Sequence, residues 1–164
     1  MKVPLLLKPN ETRGAAPLNI FGGVLWIKLA GSDTDGTYSI TEGTTPPMGG
    51  PPLHRHSRED ESFYVLEGEF IFEADGKLHE AGPGSSIFLP RHTAHLFQNV
   101  GKTVGRLLQV VQPAGLEDFF TETDVATRGM KEPDPSIVLP IFQKYGLELL
   151  GPPMAHRRPA SVAS

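Results

Sequence analysis

The sequence predicts an all-β protein, a barrel or a sandwich. About nine short runs rich in β-branched and aromatic residues fall between residues 24 and 111, and turn signals separate them. The 18 Gly and 16 Pro suit many strands joined by tight turns better than long helices. No helical period intrudes between residues 24 and 111.

Bulk properties bound the rest. At 164 residues one domain is the default, and a core can form without staples. The chain has no cysteine, so disulfides, thiolate zinc sites and cysteine nucleophiles are excluded. A net charge of −4 argues against nucleic acid as the partner. No apolar run approaches the roughly 18 residues that span a bilayer, and Pro9 breaks the short apolar start. Cytoplasm is the expected location, with no membrane partner.

Taken in order, residues 1–20 read as an irregular arm with an edge strand around 3–7. Residues 24–30 are a strand and 32–36 a turn. Residues 37–42 form a strand with Tyr38 and Ile40 on one face, and the Pro- and Gly-rich run 44–52 is a loop. Residues 53–56 are a short strand, 57–60 a charged turn, and 61–67 a strand with Glu61, Phe63 and Val65 on one face. Gly68 turns the chain into strand 69–73, and Asp75-Gly76 makes a hairpin with 77–80. Strands 86–89, 95–99 and 104–111 follow, the first stopped by Pro90.

After Pro113 the character changes. Leu116, Phe119 and Phe120 have helical spacing with Glu117 and Asp118 in the first turn. Asp134-Pro135 is an N-cap and first-turn pair opening a helix that ends at Gly146, with Pro140 kinking or shortening it. The expected organisation is a barrel with an N-terminal arm over 1–113, short C-terminal helices over 114–150, and a mobile tail over 151–164.

Chemistry concentrates in residues 51–61, Pro-Pro-Leu-His-Arg-His-Ser-Arg-Glu-Asp-Glu. His54 and His56 share a face of an extended strand, and Glu61 arrives just after a turn. Two imidazoles and a carboxylate are most of a mixed N/O metal site. His95 opens a strand that can face them across an antiparallel barrel, so the candidate set is His54, His56, Glu61 and His95. Such ligands suit one divalent transition ion: Fe, Mn, Ni, Co, Cu or Zn. A coincidental surface cluster is the bland alternative. For His92 it is an exposed turn, for Arg58, Glu59 and Asp60 a solvated charge run, and for Phe63, Phe72, Phe88 and Phe97 ordinary barrel core.

Two stretches carry a family resemblance. His-x-His-x4-Glu-x6-Gly runs from His54 to Gly68, and Gly-x5-Pro-x-His-x2-His-x3-Asn from Gly84 to Asn99. They resemble the two motifs of the cupin superfamily. Met48 stands where the first motif usually opens with Gly, and His92 stands where the second usually has Gly. The turn at His92 therefore need not be left-handed. The resemblance implies a double-stranded β-helix (jelly-roll) barrel, a metal near one mouth, and His54, His56, Glu61 and His95 as ligands. The wording around residues 51–68 is similar to quercetinase-type single-domain bacterial cupins.

That resemblance implies a metal-dependent dioxygenase acting on a small enolisable or phenolic, flavonol-like molecule, with Glu61 also the catalytic base. Tyr38, Phe63, His92 and Phe97 are the expected substrate-pocket residues. A metal-assisted isomerase or lyase and a non-enzymatic small-molecule-binding cupin are the competing expectations. A homodimer is expected from the family and from edge strands that need cover.

Overall fold

In a computed structural model the chain is described over residues 3–130 and 132–156. The strands are β1 (Leu18–Ile20), β2 (Gly23–Leu29), β3 (Ser39–Thr45), β4 (Pro52–His56), β5 (Asp60–Glu67), β6 (Phe70–Ala74), β7 (Lys77–Ala81), β8 (Ser86–Leu89), β9 (His95–Asn99), β10 (Gly105–Gln112) and β11 (Leu147–Pro153). The helices are α1 (Gly31–Thr34), α2 (Leu116–Thr127) and α3 (Pro135–Lys144), and Met154–His156 form a 3-10 turn. Two antiparallel sheets face each other, ordered β1-β2-β3-β10-β5-β8 and β11-β4-β9-β6-β7. This is the jelly-roll arrangement.

Local chemistry accounts for most elements. Asp75 and Gly76 both take positive φ, so the β6–β7 hairpin closes with the twist its strands require. Asp134 caps α3, its side chain accepting from the Ser136 backbone N–H with Pro135 behind it. The helix runs through Pro140 to Lys144 without being cut short there. Gly146, at φ 77°, supplies the left-handed residue that ends it.

Two apolar clusters hold the sheets together. Phe63, Val65, Phe70, Phe72, Leu89 and Leu107 fill one part of the barrel. The other cluster joins β1, β2 and β10 to the helices through Ile20, Ile27, Val111, Phe119, Phe120 and Phe142. The Phe119-Phe120 and Ile141-Phe142 pairs are therefore buried in packing against the barrel.

Several expectations are corrected. Residues 3–7 form no strand, whereas β1 lies within the stretch read as an arm. The turn after β2 contains the single-turn helix α1. β3 extends to Thr45, into the stretch read as loop. Its buried side is Ser39, Thr41 and Thr45, and the face shared by Tyr38 and Ile40 is the opposite one. The inner side lines a polar site, so small polar residues face inward and the apolar ones outward. Phe88 is 63% exposed because Leu89, opposite Glu61, takes the inward position on β8. A shift of one residue reverses every side chain of a strand, and β8 is a short edge strand.

The largest correction is β11. Residues 151–153, read as tail, continue a strand that pairs with β4, setting Leu147 opposite His56 and Leu149 opposite His54. The remainder of the expected tail, residues 157–164, lies outside the described residues. On its other side β4 meets β9 through the single pair His54 and His95, so β11 is its main lateral support. Deleting residues 147–164 is expected to lower the thermal midpoint and to strip the chain of metal, since Leu147 alone buries enough for about 2 kcal/mol or more. Thermal denaturation with elemental analysis of the truncated protein checks this.

Candidate metal centre

His54 and His56 alternate with Arg55 on β4, so both imidazoles point into the barrel while Arg55 pairs outside with Glu148 at 2.6 Å. His95 begins β9 directly opposite His54. Glu61 reaches in from β5, in the facing sheet. All four side chains are buried. One donor atom from each lies within 4.8 Å of the others. Donors about 2.1 Å from a shared ion sit about 3 to 4.2 Å apart, so a small contraction closes the set on one cation.

Hydrogen bonds fix which atoms face the centre. His54 Nδ1 is 2.8 Å from the Pro52 carbonyl and His95 Nδ1 is 2.9 Å from the Thr93 carbonyl. A carbonyl only accepts, so both Nδ1 atoms carry a proton and both Nε2 atoms turn towards the site, where a metal would replace the proton that His95 Nε2 shares with Glu61 Oε2. His56 Nδ1 is 3.3 Å from Glu59 Oε2, which sets the same orientation. Each imidazole is thus held from behind, as metal-ligating histidines are.

The fit to a metal rests on one atom above all. His56 Nε2 is buried and makes no hydrogen bond, although Glu61 Oε2 lies 3.5 Å away. An unpartnered polar atom at the centre of three other converging donors is what a cation would satisfy. Glu61 Oε2 also lies 2.8 Å from His95 Nε2.

Electrostatics follow from this crowding. Burial, then the neighbouring His95 and His56, lowers the His54 pKa to about 3. Burial also opposes a charge on His56, but Glu61 and Glu59 outweigh it and raise its pKa. Burial works against the Glu61 carboxylate too, yet His56 and His95 hold its pKa below the ordinary carboxylate range. Glu61 is therefore an anion at neutral pH and His54 a neutral donor.

The four residues line a cavity of about 90 Å³. Phe63, Phe97, Leu107 and Leu25 wall it, with Phe119 and Phe120 of α2 beyond. Of the expected pocket residues, Phe63 and Phe97 line it; Tyr38 and His92 do not. Tyr38 is 39% exposed ahead of β3. His92 is exposed in a turn at φ 71°, its N–H donating to the His56 carbonyl at 2.7 Å. The turn is left-handed after all, the conformation that glycine adopts most readily. Histidine is among the residues that tolerate it.

Three polar residues escaped the sequence reading. Glu59, assigned to a solvated run, is 6% exposed behind His56. Gln109 and Thr41 are buried beside Glu61. The usable signal was a single Gln on the apolar face Leu107, Gln109, Val111 of β10.

Two outcomes follow. His54→Ala is expected to lose most of its metal, and Glu59→Gln to bind it about 10-fold more weakly, by elemental analysis and competitive chelation. For pH the sign is set by His56. Its raised pKa keeps it protonated above the ordinary 6.5, whereas His54 stays neutral down to about 3. Metal must displace the His56 proton, so affinity rises with pH above 6.5 and uptake there releases about one proton. Titration calorimetry in buffers of different ionisation enthalpy measures that proton.

Comparison with known proteins agrees with this geometry. The cupin domain profile matches residues 42–111. The chain is 28% identical over 94 residues to quercetin 2,3-dioxygenase of Bacillus subtilis, covering 57% of this chain and 28% of that protein. It is 33% identical over 66 residues to an oxalate-binding protein of Thermotoga maritima, covering 40% of this chain and 54% of that one. The crystal structure of a predicted oxalate decarboxylase from Thermotoga maritima superposes with a TM-score of 0.59 at 24% identity, covering 66% of this chain and 99% of that one. The chain spans 28% to 56% of the length of the curated relatives it matches. With both motifs, the two-sheet barrel and the inward-facing His54, His56, Glu61 and His95 in place, residues 42–111 form a cupin domain.

Proposed function

We propose that this cupin is a metal-dependent dioxygenase acting on a small enolisable or phenolic molecule. The observation that carries the reading is the set of three imidazoles and one carboxylate converging in an apolar cavity. The similarity to quercetin 2,3-dioxygenase supports the reaction class. When bound, a divalent transition ion supplies Lewis acidity that lowers the pKa of a hydroxyl at an open position.

The chain's own residues do the rest. His54, His56 and His95 turn Nε2 towards the space a metal would occupy, their Nδ1 atoms tethered. Glu61 Oε2 faces the same space and is the group positioned to take a proton from a substrate hydroxyl. Phe63, Phe97 and Leu107 exclude water and offer flat apolar surface to a ring. The cavity, about 90 Å³, is smaller than the roughly 150 Å³ apolar cavity that takes benzene. It takes an enediol fragment whole, whereas a hydroxylated ring or a flavonol would extend beyond it.

A second reading has its own support. A cavity this small fits a compact dicarboxylate, and one relative is named an oxalate-binding protein. On that reading the protein binds its ligand without turnover.

One experiment separates them. The protein is loaded with Fe, Mn, Co, Ni, Cu and Zn in turn, and oxygen uptake is followed with catechols, enediols and flavonols. Uptake with at least one metal is expected, faster for single-ring substrates than for flavonols. No uptake with any metal, alongside tight oxalate binding, would favour the binding module. Equal turnover without oxygen would point to an isomerase or lyase.

A further inference from the structure

Three buried polar side chains stand in line across adjacent strands of the larger sheet. Gln109 on β10 is directly opposite Thr41 on β3, and Val111, two residues along, is opposite Glu61 on β5. All three side chains therefore point inward, at 1% exposure for Thr41, 7% for Gln109 and 2% for Glu61. Gln109 Nε2 donates to Glu61 Oε1 at 2.6 Å, and Thr41 Oγ1 donates to Gln109 Oε1 at 2.8 Å.

Chemistry fixes the direction of each bond. The Glu61 carboxylate only accepts, so Gln109 must turn its NH2 group towards it. That leaves the Gln109 carbonyl facing Thr41, whose hydroxyl must then donate. Thr41 thus locks the amide and the amide holds one carboxylate oxygen. The other oxygen, Oε2, lies 2.8 Å from His95 Nε2 and 3.5 Å from His56 Nε2. The two oxygens of Glu61 have different surroundings, one clamped and one aimed at the imidazoles.

We propose that Gln109, oriented by Thr41, is a positioning residue that restricts Glu61 to one-oxygen ligation by holding Oε1 away from the metal centre. The inference rests on His54, His56, Glu61 and His95 forming that centre. A carboxylate without the clamp is free to turn both oxygens onto an ion. Chelation would then fill a coordination position that a small ligand from the cavity needs. The clamp keeps that position open.

The test uses the full chain reconstituted with cobalt(II) alone. The visible bands of cobalt(II) weaken as its coordination number rises, so they report the second oxygen directly. Wild-type protein, Gln109→Met, Thr41→Val and Thr41→Ser are compared. The wild type should take up about one cobalt per chain. Gln109→Met should show weaker bands, because the carboxylate is then free to turn both oxygens onto the ion. Thr41→Val should move the spectrum the same way by less, and Thr41→Ser, which keeps the hydroxyl, should match the wild type. Superimposable spectra for wild type, Gln109→Met and Thr41→Val overturn the inference while leaving the metal centre intact. If Gln109→Met does not fold, the Val and Ser variants of Thr41 decide alone. A wild-type chain that binds no cobalt overturns the metal centre, and this inference with it.

Discussion

The structure depends on a carboxylate and three imidazoles buried together inside an apolar barrel. Such groups are costly to desolvate unless each is paired or bonded. The chain meets that cost from every side. Pro52 and Thr93 carbonyls hold two imidazoles, Glu59 holds the third, and Gln109 holds the carboxylate. What remains unmet is the centre itself, where His56 Nε2 has no hydrogen-bond partner. The rest of the architecture keeps these groups facing one another.

That task explains the division of the core. One apolar cluster fills the barrel around Phe70 and Phe72, and the second joins the helices to β1, β2 and β10. The cavity draws its walls from both, Phe63 and Leu107 from the first, Phe119 and Phe120 from the second. Helices outside residues 42–111 therefore shape the space beside the candidate metal centre. Relatives that share only the strands need not share that wall.

The inner side of β3 shows how function bends a sequence pattern. Hydrophobic alternation there points Tyr38 and Ile40 inward, because burial and apolarity usually coincide. In this barrel the buried side carries Ser39 and Thr41, since it borders a polar centre. The same reversal hides Gln109 among the apolar residues of β10, and Glu59 in what reads as a solvated charge run. A charged or polar residue beside a metal centre looks like surface when only its neighbours in sequence are visible.

The sequence by itself determined what depends on residues a few positions apart. Strand parity put His54 and His56 on one face, Asp75-Gly76 made a hairpin, and Asp134-Pro135 opened a helix. The order of the two motifs was enough to nominate His95 as the partner of His54, and the pair does sit in register. Tertiary structure decided whatever depends on residues far apart. It placed β11 beside β4, joining Leu147 to His56, and set Gln109 against Glu61. It turned Phe88 outward and His92 into a left-handed exposed turn. Local propensity is blind to these because each is settled by which strand lies alongside, and that is an outcome of burying the whole chain at once.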